Sequence, residues 1–340
     1  MATTEETEQL AAPPQTPVRV LPGLIVVVAI GWLSVRIGAH APVIGAPVIA
    51  LAIGAAIARA RRFPREAARP GVKAGATSLL QIAVVLLGAQ ISLGEVAQVG
   101  KSSLPVMVAT LAACLTTAAV VGKAMKIDGE LRTLIGVGTA ICGASAIAAV
   151  SSVTKPKSTA IAYAISTIFF FNVTAVLVFP PLGHLLHMSQ DSFGLFAGTA
   201  VNDTSSVVAA ATAYGHAATS HAVVVKLTRT LMIVPIAAFL AAKAGNPTGQ
   251  SRATTARKLV PPFLIGFIAM TCLHSAHIVD GFPAQQLVKL AGIFTAAAMA
   301  AIGFQTDFAA LRRSGPRPLM LGAILWVTVS VTSLGVQAIL

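Results

Sequence analysis

The sequence predicts an all-α polytopic membrane protein, and three observations predict it. Hydrophobic residues make up 56% of the 340 residues and charged residues only 10%, against about 25% charged in soluble domains. The apolar stretches are long enough to cross a bilayer as helices, about 20 residues each, whereas barrel strands alternate over about 10. Two pairs of segments also resemble one another, which points to an internal repeat.

The first 20 residues are polar, with Pro13, Pro14 and Pro17, and are expected to form a disordered cytoplasmic tail. Residues 21–340 are expected to form one transmembrane transporter domain. About eleven hydrophobic segments follow, at 21–39, 42–60, 74–93, 103–122, 132–151, 159–181, 193–214, 222–242, 259–278, 286–304 and 318–338. The first lacks a cleavage site and reads as a retained helix rather than a signal peptide. Cys114, Cys142 and Cys272 fall in apolar runs without metal-ligand spacing, so they read as packing residues.

The formal charge of +13 reads as positive-inside bias. No nucleic-acid motif is present, so no nucleic-acid partner is expected. Arg19, Arg59, Arg61, Arg62, Arg65, Arg69, Lys73, Lys123, Lys126, Arg132, Lys243, Arg252, Arg257, Lys258, Arg312, Arg313 and Arg317 fall on one side. These are 17 of the 24 Lys and Arg residues. This places the N-terminus in the cytoplasm and the C-terminus outside. Lys155 and Lys157 fall on the other side if every segment crosses. They join the majority if segments 132–151 and 193–214 are re-entrant instead, and the sequence allows both arrangements.

GTAICGASAIAAV (138–150) resembles GTAVNDTSSVVAA (198–210). LGAQISLGEVAQVGKSSLPVMVATL (87–111) resembles IGFQTDFAALRRSGPRPLMLGAIL (302–325). The latter two lie in oppositely directed segments, the mark of an inverted repeat.

The candidate site lies in the first pair and in the segment after it. Gly138, Thr139, Cys142, Gly143 and Ser145 crowd small and helix-weakening residues into segment 132–151, which predicts either tight packing or an interrupted helix. Gly198, Thr199, Asn202, Thr204 and Ser205 do the same in 193–214. Asp203 is the one acidic residue in the central half of any predicted span, and a carboxylate there must be paired or protonated. It reads as an ion-coupling residue or as a packing ion pair. Lys226 and Arg229, spaced i, i+3, share a helix face. Arg229 suits the bidentate binding of carboxylate, sulfonate or sulfate, and a partnership with Asp203 is compatible with that role. Gln81, Gln90, Gln305, Thr306 and Asp307 are weaker cavity candidates. Arg36 and Lys289 read as snorkelling residues. The pairs His184/His187 and His274/His277 have helical spacing, but no nearby carboxylate suggests a metal site.

In their order and spacing, GTAICGASAIAAV, FGLFAGTAVNDTSSVVAAATAYG and VVKLTRTLMIVP resemble the bacterial YeiH-type sulfate-exporter family, over nearly the whole chain from about residue 20. The resemblance implies a multi-pass inner-membrane protein of ten or eleven helices. More distantly, it implies kinship with bile-acid symporters and cation/proton antiporters, whose broken helices cross. It carries over to Gly138, Thr139, Cys142, Gly143, Ser145, Gly198, Thr199, Asp203, Thr204, Ser205, Lys226, Thr228 and Arg229. Ala144, Asn202 and Ser206 stand where the family pattern has Asn, His and Gln, so a titrating histidine is not expected as the coupling group.

The function expected is a secondary transporter that exports a small anion, such as sulfate or an organosulfonate, coupled to H⁺ or Na⁺. No nucleotide-binding motif is present. The alternatives are a passive anion channel and, less favoured, an intramembrane enzyme with Cys142 as nucleophile. No enzymatic activity, cofactor or metal is expected. The partners expected are the anion, the coupling cation and the lipid bilayer, and a homo-oligomer is compatible with this reading.

Overall fold

The computed structural model describes residues 17–40, 45–59, 65–232, 236, 262–305 and 315–340. Residues 1–16 of the expected tail, the cations at 61, 62, 243–258, 312 and 313, the far half of segment 222–242, and Thr306 and Asp307 lie outside them. Every element described is helical. Six helices are long and apolar enough to cross a membrane: Val20–Gly38, Ala68–Gln90, Leu93–Ala124, Ser158–Leu185, Phe282–Gln305 and Pro316–Ile339.

In chain order, α1 (Pro17–Gly38) and α2 (Ala46–Arg59) are followed by α3 (Arg65–Ala74). A π-turn at Gly75–Leu79 carries α3 into α4 (Leu80–Leu87). In α1, Arg36 is exposed and lies 5.1 Å above the Trp32 ring. α5 (Leu93–Ala124) starts at a capping box, in which Ser92 Oγ accepts from Glu95 N–H and Glu95 accepts from Ser92 N–H. Near the far end of the chain lie α12 (Pro262–Ser275), α13 (Phe282–Gln305) and α14 (Pro316–Ile339). Small residues set the packing between helices. At Gly54 a side chain would strike the backbone of Ala300, and at Gly303 it would strike that of Leu51, so α2 and α13 meet backbone to backbone.

The two unusual segments are both broken. α6 (Gly129–Ala140) and α7 (Ala144–Thr154) flank a gap at Ile141–Gly143. α9 (Gln190–Ala200) and α10 (Thr204–Tyr214) flank a gap at Val201–Asp203. Each pair folds back on itself. Ile147 packs against Gly138 across the first gap. The Tyr214 ring stacks on Phe193 across the second, with centroids 3.8 Å apart.

The hairpins enter from opposite ends of the bundle. α5 has 32 residues, about 48 Å at 1.5 Å per residue, and separates the two ends. The Ser92 end also holds Ser275, whose Oγ accepts from Leu93 N–H at 2.8 Å, and Ser220, bonded to Gln90 at 2.8 Å. Gln190 reaches that end too, where its Oε1 accepts from Ala217 and Ala218 N–H of α11 (His216–Thr230). The base of the second hairpin is therefore there. The opposite end holds Asp128, which caps α6, and Glu130, whose carboxylate accepts from Lys157 N–H at 3.0 Å. Lys157 caps α8 (Ser158–Leu185), so both ends of the first hairpin lie together. The two segments thus re-enter rather than cross. Lys155 and Lys157 come to the end where α6 begins, which resolves the alternative that the sequence left open.

Candidate functional site

The two hairpin tips meet in the middle of the bundle. The first tip is shaped by backbone alone. Ile141 N–H donates to Val137 carbonyl at 3.1 Å, and Gly143 N–H to Gly138 carbonyl at 2.8 Å. Gly143 has φ +64° and ψ −128°, a conformation that essentially only glycine adopts without strain. A Cβ on Gly143 would sit 3.5 Å from Asp203 Cβ, so the tips are in contact.

The second tip is shaped by side chains. Asp203 caps α10 by accepting from Ser205 N–H at 3.0 Å and from the Ser205 hydroxyl, as a carboxylate at a positive helix end should. Asn172, from the middle of α8, turns its Oδ1 to Asn202 N–H at 3.2 Å and Asp203 N–H at 3.3 Å.

Both cations of α11 are fully buried. Lys226 Nζ donates to Ile141 carbonyl at 2.7 Å and Val201 carbonyl at 3.0 Å. These residues follow directly on the last residues of α6 and α9. One ammonium therefore satisfies the open carbonyl ends of both half-helices and opposes both negative dipole ends. Arg229 Nη1 donates to Thr199 carbonyl, and the Thr199 hydroxyl bonds Ser333 of α14 at 2.7 Å. Arg229 Nε and Nη2 are buried without a hydrogen-bond partner, and so is Asn202 Oδ1.

The structure brings together Cys142, Gly143, Asn202, Asp203, Thr204, Ser205, Lys226 and Arg229. Cys142 lies within electrostatic reach of Asp203, Lys226 and Arg229. Ser145, with Ala144, is exposed at the start of α7. Gly138 and Gly198 have packing roles: a side chain at 138 would strike Ile168, and one at 198 would lie 2.7 Å from Val225. Thr139 is buried.

The partnership between Asp203 and Arg229 is not formed. Among the described residues the ion pairs within 4.0 Å are His221–Asp191, His274–Asp280 and His277–Asp280. Arg229 meets a carbonyl instead, and Lys226 is engaged by two. Gln90 bonds Ser220, and Gln305 bonds its own helix at Ala301. The carboxylate missing from the His274/His277 sequence pattern is Asp280, which touches both rings. No group of three or more His, Cys, Asp or Glu suited to a metal occurs among the described residues.

The sequence reading missed Asn172 and Ser333. Asn172 stands in FFFNVTAV, and an amide in so apolar a span is itself a signal, because it needs a partner at that depth. Ser333 lies in a small-residue helix where nothing distinguishes it.

Comparison with known proteins agrees along the whole chain. The family profile described as "Conserved hypothetical protein 698" matches residues 22–322. A UPF0324 membrane protein of Streptococcus agalactiae is 41% identical over 327 residues, covering 94% of this chain and 97% of its own length. One from Streptococcus pneumoniae is 41% identical over 332 residues, covering 94% and 96%. One from Streptococcus pyogenes is also 41% identical over 332 residues, covering 95% and 98%. No solved structure matches. The profile and these relatives lead to one conclusion: the chain is a membrane protein of the UPF0324 family.

Proposed function

We propose that the protein is a secondary transporter that exports a small anion, a sulfate or an organosulfonate, across the bacterial inner membrane. Coupling is to H⁺ or Na⁺. The N-terminus is cytoplasmic and the C-terminus external. The observation that carries this reading is Arg229: a fully buried guanidinium with two N–H-bearing nitrogens unpartnered, beside two interrupted helices. Buried donors are normally satisfied, and a planar fork of this kind suits a two-oxygen acceptor.

Arg229 receives the anion in this mechanism. Asp203, half-buried at the start of α10, takes the coupling cation. Lys226 acts as a positioning residue that ties the two hairpins, rather than as an anion ligand. An inverted repeat relating the two halves is part of the proposal, and the opposite entry of the two hairpins supports it. No nucleotide chemistry and no enzymatic step are invoked.

The test is uptake of labelled sulfate and ethanesulfonate into proteoliposomes under imposed H⁺ or Na⁺ gradients. Saturable, gradient-dependent flux is expected. It should fall about 100-fold in Arg229→Ala, the ~3 kcal/mol of a charge-assisted hydrogen bond, and lose its gradient dependence in Asp203→Asn. Flux unchanged in both variants overturns the assignment. Flux that neither saturates nor depends on the H⁺ or Na⁺ gradient makes the protein a channel.

A further inference from the structure

Three features of the tip region bear on what the site carries. The first is the pair of unpartnered Arg229 nitrogens, Nε and Nη2, which demand an acceptor with two oxygens. The second is Asn202 Oδ1, buried and also unpartnered, which demands a donor. Asp203 beside it adds a carboxyl group with no cationic side chain within 4.0 Å among the described residues. Thr199, whose carbonyl accepts from Arg229, precedes Asn202 by three residues, so the Cα atoms of Thr199 and Asn202 lie within about 10 Å of each other. An inorganic dianion satisfies the arginine but brings only acceptors to Asn202 and Asp203.

The third feature lies toward the Ser92 end. A cavity of about 330 Å³ opens there between α5, α9 and α11, lined by Gln90, Glu95, Asp191, His216, Ser220 and His221 among others. Among the described residues its titratable groups are two carboxylates and two imidazoles, and no Lys or Arg lines it. α11 runs from this cavity directly to Lys226 and Arg229. Two carboxylates lining this cavity disfavour a dianion there more than a molecule of zero net charge.

We infer that the passenger is a small zwitterion whose acid group meets Arg229 and whose ammonium meets Asn202 Oδ1 and the Asp203 carboxylate. This rests on the transport reading above but replaces its simple anion with amino-carboxylates and amino-sulfonates. It also makes passenger and coupling cation rivals for Asp203, which is the arrangement of an exchanger.

The test is calorimetric binding to the purified full-length protein of matched pairs: 2-aminoethanesulfonate with ethanesulfonate, 3-aminopropanoate with propanoate, and sulfate as reference. At least one zwitterion should bind about tenfold or more tighter than its amine-free partner and than sulfate. Asn202→Leu and Asp203→Asn should remove that preference. If either variant fails to fold, the paired comparison on the unaltered protein decides alone. Amine-free partners or sulfate binding as tightly as the zwitterions overturn the inference, and so does failure of every zwitterion to bind. Sulfate flux that persists in vesicles under those outcomes keeps the anion-transport reading, whereas absence of saturable flux for every compound removes both.

Discussion

The two hairpins begin their breaks with the same Gly-Thr-Ala and complete them by different means. In the α6–α7 hairpin the chain turns on Gly143, whose backbone conformation does the work, and no side-chain hydrogen bond caps α7. In the α9–α10 hairpin a carboxylate caps the second half-helix, and an amide from α8 holds the turn. Conformation shapes one tip and polar chemistry shapes the other. A tip built on glycine brings backbone close without adding charge. A tip built on Asn and Asp places acceptors at membrane depth, where they are costly unless used. The second hairpin therefore holds the polar side chains of the tip region, and the first packs against it through Gly143.

The largest expected effect comes from the residue the two tips share. Lys226→Met strands the Ile141 and Val201 carbonyls together. At about 1–3 kcal/mol for each stranded group, the loss is roughly 2–6 kcal/mol, read as a lower Tm in detergent together with lost flux. An unchanged Tm means that the two helix ends do not depend on the ammonium.

The next test separates the hairpins. Gly143→Ala forces alanine into a glycine-only region, for about 1–3 kcal/mol. Asn172→Ala leaves two N–H groups of the second tip without their acceptor, for about 1–3 kcal/mol. Because the tips touch at Gly143 and Asp203, the double variant should depart from additivity by about 0.5 kcal/mol or more. Strict additivity breaks the picture of two tips acting as one unit. The smallest effect is expected at Cys142→Ala: flux within about twofold of the parent and a stability change of about 1 kcal/mol. Loss of activity there would revive a nucleophilic role for the thiol.

Much of this comparison was legible in the sequence. The paired GTA motifs located both breaks, because glycine and small polar residues weaken a helix wherever it folds. Asp203 and Arg229 stood out because charge in an apolar run is rare for an energetic reason. The partnership between them that the sequence allowed is not formed: Arg229 meets the Thr199 carbonyl and Ser205 meets Asp203. Asn172 was overlooked because its partners are 30 and 31 residues away. The two carbonyls facing Lys226 could not be read from the sequence, because Ile141 and Val201 lie 85 and 25 residues away from it.

The sequence by itself determined what is local: a helical membrane protein, its long apolar segments, the two stretches rich in helix-weakening residues and the residues too polar for their depth. Hydropathy and helix propensity act over a few turns, so they can be read from neighbours along the chain. Only the tertiary structure decided that both broken segments re-enter, from opposite ends, and meet tip to tip. An apolar segment of 20 residues meets the same hydrophobic requirement whether it crosses or doubles back. The choice belongs to contacts made far along the chain: Glu130 with Lys157, Gln190 with α11, and Lys226 with the open ends of two helices that it is not part of.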